Sequence, residues 1–343
     1  MGDVFHTFPA LSDAQKNHPD LTIDWVVEGS FAEIPKWHPV VDKVYAIELR
    51  RWRKSLWSKE TRLEIKAFFE TVNQTHYDLI IDAQGLLKSA WVARKVKAKT
   101  AGYDWNSARE PLATWLYQFK CTVAKDQHAI LRLRLLMAQV LGYSLGENPP
   151  IVYGLETHNW SKPNCVLEQY SDEKYWVFLH GTTWETKYWP EDYWIELLAK
   201  ADALGVKVIL PWGNEEERLR ANRIADSLAG DQQTASGKKV WVPENILSLN
   251  EVAKILKNAQ AVVSVDTGLS HVAAALEVPM VVLYRVTDPK LVGADGSKVT
   301  RLESPCAPDY IKVFKGSDQA LQSLNGLDIK TVWSALSKLI KIQ

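Results

Sequence analysis

The chain has 343 residues, 46% hydrophobic and 24% charged, a composition that fits two ordinary globular domains and argues against disorder. Its 41 Lys and Arg balance 41 Asp and Glu, so no global field draws it to nucleic acid or membrane, and any attraction must come from a local patch. Three far-spaced cysteines, Cys121, Cys165 and Cys306, argue against a disulfide framework and suit a reducing cytoplasm. No apolar run approaches the ~20 residues of a membrane span, and Asp3, His6 and Asp13 interrupt any signal-peptide core.

Met1-Gly2-Asp3-Val4 reads as a loop running straight into a helix, with Val4, Phe5, Phe8, Leu11 and Ala14 at helical spacing. A doubly wound domain opens with a strand, so the expectation is an N-terminal domain lacking its first strand. A start of translation further upstream is favoured over a truly empty slot, which would expose two unpaired sheet edges. Strands are then expected over Leu21–Val27, Lys43–Ile47 and Tyr77–Asp82, with helices over Ser58–Asn73 and Gln127–Leu141. Asn148-Pro149-Pro150 and Ser161-Lys162-Pro163 punctuate the chain, giving one domain over 1–155 and a second over 156–343. The final helix of the second domain is free to pack back on the first. In the second half, Trp176–His180, Val206–Pro211, Ala261–Val265 and Met280–Tyr284 are short apolar runs, as strands covered on both faces should be. Helices over Glu191–Leu204, Glu215–Leu228 and Leu249–Asn258 alternate with them, the pattern of a parallel α/β sheet. The 15 Trp suit partly exposed rings as well as core.

The loops after these strands carry the chemistry, because ligands of open α/β sheets bind beyond the carboxyl ends of strands. Strand 176–180 runs into Gly181-Thr182-Thr183, followed by Lys187 before a helix near Pro190. Two hydroxyls and an ammonium suit phosphate oxygens; the alternative is a polar loop whose threonines make local turns. Glu215 follows the next strand, placed to accept hydrogen bonds from ribose hydroxyls or simply to complement a helix dipole. Leu247 is a base-pocket candidate, though leucine there is more often core. Strand 261–265 ends in Asp266-Thr267-Gly268-Leu269-Ser270-His271. A helix starting there presents free N–H groups to an anion, Gly268 keeps the backbone open, and His271 lies one turn in. The competing reading is that Asp266 or Thr267 only caps the helix.

Taken in order, Met1-Gly2-Asp3-Val4, Ile81-Asp82-Ala83-Gln84-Gly85-Leu86, Ala108-Arg109-Glu110-Pro111-Leu112, His180-Gly181-Thr182-Thr183, Lys187-Tyr188-Trp189-Pro190, Leu210-Pro211-Trp212-Gly213 and Ser264–His271 span nearly the whole chain. This series closely resembles the lipopolysaccharide heptosyltransferase I family, glycosyltransferase family 9. The resemblance implies the GT-B fold, two Rossmann-like domains facing a cleft. It also implies inverting transfer of L-glycero-D-manno-heptose from ADP-heptose to Kdo2-lipid A, with no cofactor and no metal. Asp3 matches the family's catalytic carboxylate, which as general base would deprotonate the attacking Kdo hydroxyl. Thr182, Thr183, Lys187, Thr267, Gly268 and His271 would stabilise the departing diphosphate, Asp266 would bond the heptose and Glu215 the ribose.

An anionic, lipid-linked acceptor needs cations. Arg50-Arg51-Trp52-Arg53-Lys54 places four within five residues, and Arg109, Arg132 and Arg134 stand at family-like positions for Kdo carboxylates and lipid A phosphates. For Arg132 and Arg134 a merely solvated charge is an equal alternative. The implied setting is peripheral, on the cytoplasmic face of the inner membrane, without nucleic acid as a partner. A heptosyltransferase adding a later core heptose, a donor-binding protein of little activity and a nucleotide-sugar epimerase of similar fold are the competing readings.

Overall fold

The computed structural model describes residues 1–156, 160, 174–228 and 239–341. The chain divides into two compact units, Met1 with Asp3–Thr157 and Gly2 with His158–Gln343. Residues 161–163 of the expected boundary and Cys165 lie outside the described residues.

The first unit contains α1 (Gly2–Asn17), β1 (Ile23–Glu28), β2 (Val41–Ile47), α2 (Leu49–Trp52), α3 (Lys59–Val72), β3 (Leu79–Ile81), α4 (Leu87–Lys95), β4 (Lys99–Tyr103), β5 (Phe119–Cys121) and α5 (Ala129–Leu141). α1 begins at once and buries Val4, Phe5, Phe8, Leu11 and Ala14 on one stripe, the spacing read from sequence. Its parallel strands make two separate sheets, β1–β2 and β3–β4–β5. The β1 and β3 residues are mostly half-buried.

The second unit contains β6 (Tyr175–Leu179), α6 (Glu191–Ala203), β7 (Lys207–Ile209), α7 (Glu215–Asp226), β8 (Val240–Trp241), α8 (Leu249–Asn258), β9 (Ala261–Val265), α9 (Gly268–Ala275), β10 (Met280–Tyr284), α10 (Pro289–Val292), β11 (Val299–Glu303), α11 (Ser317–Gln322) and α12 (Ile329–Ile340). The sheet is parallel in the order β11-β10-β9-β6-β7-β8. β6, β9 and β10 are buried along their whole length, which explains their unbroken apolar runs. Alternate residues serve opposite faces. Trp176, Phe178, Ala261, Val263, Val265, Val281 and Leu283 join one core with Trp189, Trp194 and Leu197. α12 buries Val332 and Leu336 in that same core. Its apolar stripe is satisfied within its own unit. Among the described residues no helix is long and apolar enough to cross a membrane.

Candidate functional site

In the second unit the strand order reverses between β6 and β9. Chains leaving neighbouring strands diverge to opposite faces there, and a crevice opens at their carboxyl ends. The loops after β6, β9 and β10 meet at this switch point. Lys187 Nζ lies 2.6 Å from Asp266 Oδ2, and Thr287 Oγ1 donates to the same Oδ2 at 2.6 Å. Thr182 Oγ1 donates to the Asp266 carbonyl at 2.8 Å, so its proton ties two loops together. Thr183, by contrast, is exposed.

Asp266 therefore does not cap α9. Thr267 is the N-cap residue and makes no side-chain cap bond, while its carbonyl accepts from Ser270 Oγ at 2.6 Å. The first turn of α9 opens at Gly268 with Leu269 beside it, while Ser270 and His271 are buried. Such an end favours an anion. Lys187 Nζ also sits 4.6 Å from the centroid of the Trp184 ring, and Lys312 Nζ lies 5.2 Å from the same centroid. Two ammonium groups thus meet at the Trp184 ring, one of them paired with Asp266.

The loop that carries Lys187 is fastened from behind. Arg285 donates to the Tyr188 carbonyl, to Ser323 Oγ at 2.6 Å and to the Ala320 carbonyl at 2.9 Å. Arg220 stacks 3.6 Å over the Tyr188 ring, and Trp189 Nε1 donates to the Leu327 carbonyl at 2.7 Å. Rigid backing of this kind keeps a binding group in place before a ligand arrives.

Glu215 opens α7 and is held by Arg218, which donates at 2.6 and 2.8 Å; this bond holds its carboxyl below the usual range. Glu217 Oε2 accepts from Gly213 N at 2.8 Å, and a Cβ on Gly181 would stand 2.4 Å from the Glu217 carboxyl carbon. A side chain at 181 would therefore push the Glu217 carboxylate away from Gly213 N. Leu247 is half-buried just before Ser248, which with Glu251 forms a reciprocal capping box on α8. His180 is buried, which pushes its imidazole down to about 4, with help from Arg220; it is neutral at physiological pH.

In the first unit, Asp3 stands in the first turn of α1. Arg109 grips it with both terminal nitrogens, Nη2 to Oδ1 at 3.2 Å and Nη1 to Oδ2 at 3.4 Å. Burial pushes the Asp3 carboxyl up, but Arg109, with His6 adding to it, outweighs that and holds it below its usual range. Arg109 is placed by a polar knot. Asp82 accepts from Gln84 N, Gly85 N, Ser89 Oγ and Tyr117 OH, and Gly85 returns a carbonyl to Glu110 N at 3.0 Å. Gly85 has φ +66° with the Tyr103 ring 3.1 Å from where its Cβ would be, so no other residue fits there without strain.

The expected acceptor cations separate into two sets. Arg50, Arg53 and Lys54 are exposed, with no ion-pair partner among the described residues. Arg50, Arg51 and Lys54 line an open depression of about 370 Å3 together with Glu28, Ser30 and Glu48. Arg51 is taken by Glu64 at 2.6 Å. Arg132 donates to the Ser107 carbonyl at 2.5 Å and lies 4.9 Å from the Tyr103 ring centroid. Arg134 is buried; it grips Asp13 at 2.6 and 3.0 Å and donates to the Pro149 and Pro150 carbonyls. Its guanidinium is a staple between α1 and α5, which corrects the acceptor role expected of it.

Thr287, Lys312 and Glu217 escaped the sequence reading. Thr287 follows an expected strand by three residues, so the carboxyl-end rule could have found it. Lys312 and Glu217 carried no local signal.

Residues 65–315 match the family described as glycosyltransferase family 9 (heptosyltransferase). Lipopolysaccharide heptosyltransferase 1 of Pseudomonas aeruginosa is 48% identical over 311 residues, covering 90% of this chain and 83% of that protein. The structure of E. coli heptosyltransferase WaaC with ADP aligns with a TM-score of 0.84 at 39% identity, over 99% of this chain and 97% of that one. The same enzyme with ADP-2-deoxy-2-fluoro heptose aligns with a TM-score of 0.80 at 38% identity, over 98% and 96%.

Proposed function

The chain belongs to glycosyltransferase family 9, and we propose that within it this protein transfers L-glycero-D-manno-heptose from ADP-heptose to Kdo2-lipid A, laying down the first heptose of the lipopolysaccharide inner core. The observation that carries this reading is the corner where Lys187 pairs with Asp266 before the α9 N-terminus and Lys312 shares the Trp184 ring with it.

A diphosphate oxygen is drawn to Lys187 and to the α9 amides. As the glycosidic bond breaks, negative charge grows on that oxygen, and these donors stabilise it more than they stabilised the ground state. Asp266, freed in part from Lys187, offers its carboxylate to a heptose hydroxyl. Thr182 positions the loop, Glu215 exchanges Arg218 for ribose hydroxyls, and Leu247 and His271 complete the donor site. Asp3 is the general base: it is ionised at neutral pH and takes the proton of the Kdo hydroxyl as that oxygen attacks. The anomeric centre inverts, and ADP leaves. Arg109 holds the carboxylate in place, and Arg50, Arg53, Lys54 and Arg132 meet the anionic groups of the acceptor. The enzyme works at the cytoplasmic face of the inner membrane.

The fold that goes with this reading is GT-B, its acceptor domain short of one strand between β1 and β3. What supports it is that β1 and β3 each pair on one side only and stay half-buried, whereas β6, β9 and β10 are buried throughout. Purified Kdo2-lipid A and heptosyl-Kdo2-lipid A offered together with ADP-heptose test the function. Product from the first is expected, and preference for the second would make this a later-acting heptosyltransferase.

A further inference from the structure

Trp57 is 90% exposed, with Leu56 at 50% and Leu63 at 56% beside it. Three large apolar side chains within eight residues form a patch that water disfavours and that calls for a second surface. The turn bearing Leu56 and Trp57 is firmly built, and Leu63 follows in the second turn of α3. Ser58 N donates to the Ser55 carbonyl at 2.9 Å, Ser55 Oγ lies 2.9 Å from Thr61 Oγ1, and Trp52 Nε1 donates to Glu64 at 2.9 Å. Arg62 Nε donates to the Leu56 carbonyl at 3.2 Å, and its guanidinium lies 5.6 Å from the Trp57 ring centroid. The turn between α2 and α3 therefore holds its apolar tip outward.

The charge around the tip is one-sided. Residues 50–66 hold seven Lys and Arg but only two Glu in a chain of zero net charge. One of those, Glu64, is already committed to Arg51 and Trp52. Arg53, Lys54, Lys59 and Arg62 are all exposed. Apolar and aromatic tips ringed by long cationic side chains suit one environment in particular, the headgroup layer of an anionic bilayer. There the indole sits at the boundary and the cations meet phosphates.

We propose that residues 55–63 are a membrane anchor, with Leu56, Trp57 and Leu63 entering the headgroup layer and Lys59 and Arg62 binding lipid phosphates around them. The partner is the bulk anionic lipid, not the sugar of the acceptor. The purpose of such an anchor rests on the lipid-linked acceptor proposed above; the test does not.

Vesicles of phosphatidylethanolamine and phosphatidylglycerol, free of donor and acceptor, are co-sedimented with the full chain. The wild type is expected to bind these, to release at high salt and to ignore phosphatidylcholine vesicles. Trp57→Ala should weaken partitioning by about tenfold, Trp57→Phe should restore most of it, and Leu204→Ser, at a 45% exposed leucine of the second unit, should change nothing. A wild type that ignores anionic vesicles, or a Trp57→Ala variant that binds as well as wild type, overturns the anchor. So does a loss in Leu204→Ser equal to that in Trp57→Ala. Because no substrate is present, failure here leaves the transferase reading standing, and failed turnover leaves the anchor standing.

Discussion

Replacing Lys187 with alanine removes two things at once, and a second substitution separates them. Lys187 and Asp266 keep only 14% and 10% of their side-chain exposure, so the change strands a carboxylate away from water. Breaking a buried pair costs about 3–5 kcal/mol, because the remaining charge is uncompensated. Here Thr287 still donates to Asp266 at 2.6 Å and some water access remains, which brings the expected loss of stability to about 2–3 kcal/mol. The donor loses a charge-assisted bond as well, worth about 1.5–3 kcal/mol, or roughly 10- to 150-fold in ADP affinity. In Lys187→Ala/Asp266→Asn the stranded charge is gone while Thr287 keeps an oxygen to donate to. Urea midpoints should therefore recover most of the way toward wild type, while calorimetry with ADP should show affinity as poor as in the single variant. If Lys187→Ala bound ADP like wild type, or if the double variant regained affinity, Lys187 would serve the fold alone and the diphosphate assignment would fail.

Asp3→Asn should lower turnover by about 10²–10⁴-fold, the usual contribution of a general base, with ADP affinity within about twofold of wild type by calorimetry; near-normal turnover would remove the base assignment. Because Arg109 holds the Asp3 carboxyl below its ordinary range, the acid limb of kcat/KM should lie below that range in wild type. Arg109→Gln should move the limb to higher pH, and a shift the other way contradicts the electrostatics. The sign for stability is the same: the carboxyl is depressed on folding, so the Asp3–Arg109 contribution is present at neutral pH and is lost as pH falls through the folded-state value. Arg134→Met strands Asp13 and should cost about 3 kcal/mol in urea denaturation, with ADP affinity intact. A stable Arg134→Met that had lost acceptor affinity would return Arg134 to the acceptor surface.

The second unit was the more legible half. β6, β9 and β10 are covered on both faces, so their apolar runs stand out from their surroundings, and the switch-point rule turns such runs directly into loops worth inspecting. Thr182, Lys187, Asp266 and Thr267 were singled out that way, and the structure ties the first three together. What the pattern could not give was their mutual arrangement. Nothing in the spacing of 187 and 266 announces an ion pair, or that the Thr182 proton belongs to a backbone carbonyl. The first unit was harder: β3 falls inside the expected Tyr77–Asp82, but β4 and β5 were not expected, and β5 is only three residues long, too short for a period to register. The charge of Arg134 looked like surface, since local sequence says nothing of Asp13, 121 positions away. Asp3 carries no signal of its own; its role came from resemblance, and only the grip of Arg109 gives it a physical context.

The half-buried strands of the first unit bear on how preparations of this enzyme should be judged. Amides of β6, β9 and β10 are flanked by strands on both sides and should exchange with deuterium only when the second unit unfolds as a whole. β1 and β3 each have a neighbour on one side only, so their amides should exchange through smaller openings at lower cost. Mild heat or storage should then loosen β1 and β3 before β6, β9 and β10. Under the roles proposed above for Asp3 and Lys187, ADP binding and turnover then report on different units, and a protection map of the first unit becomes the guide to turnover.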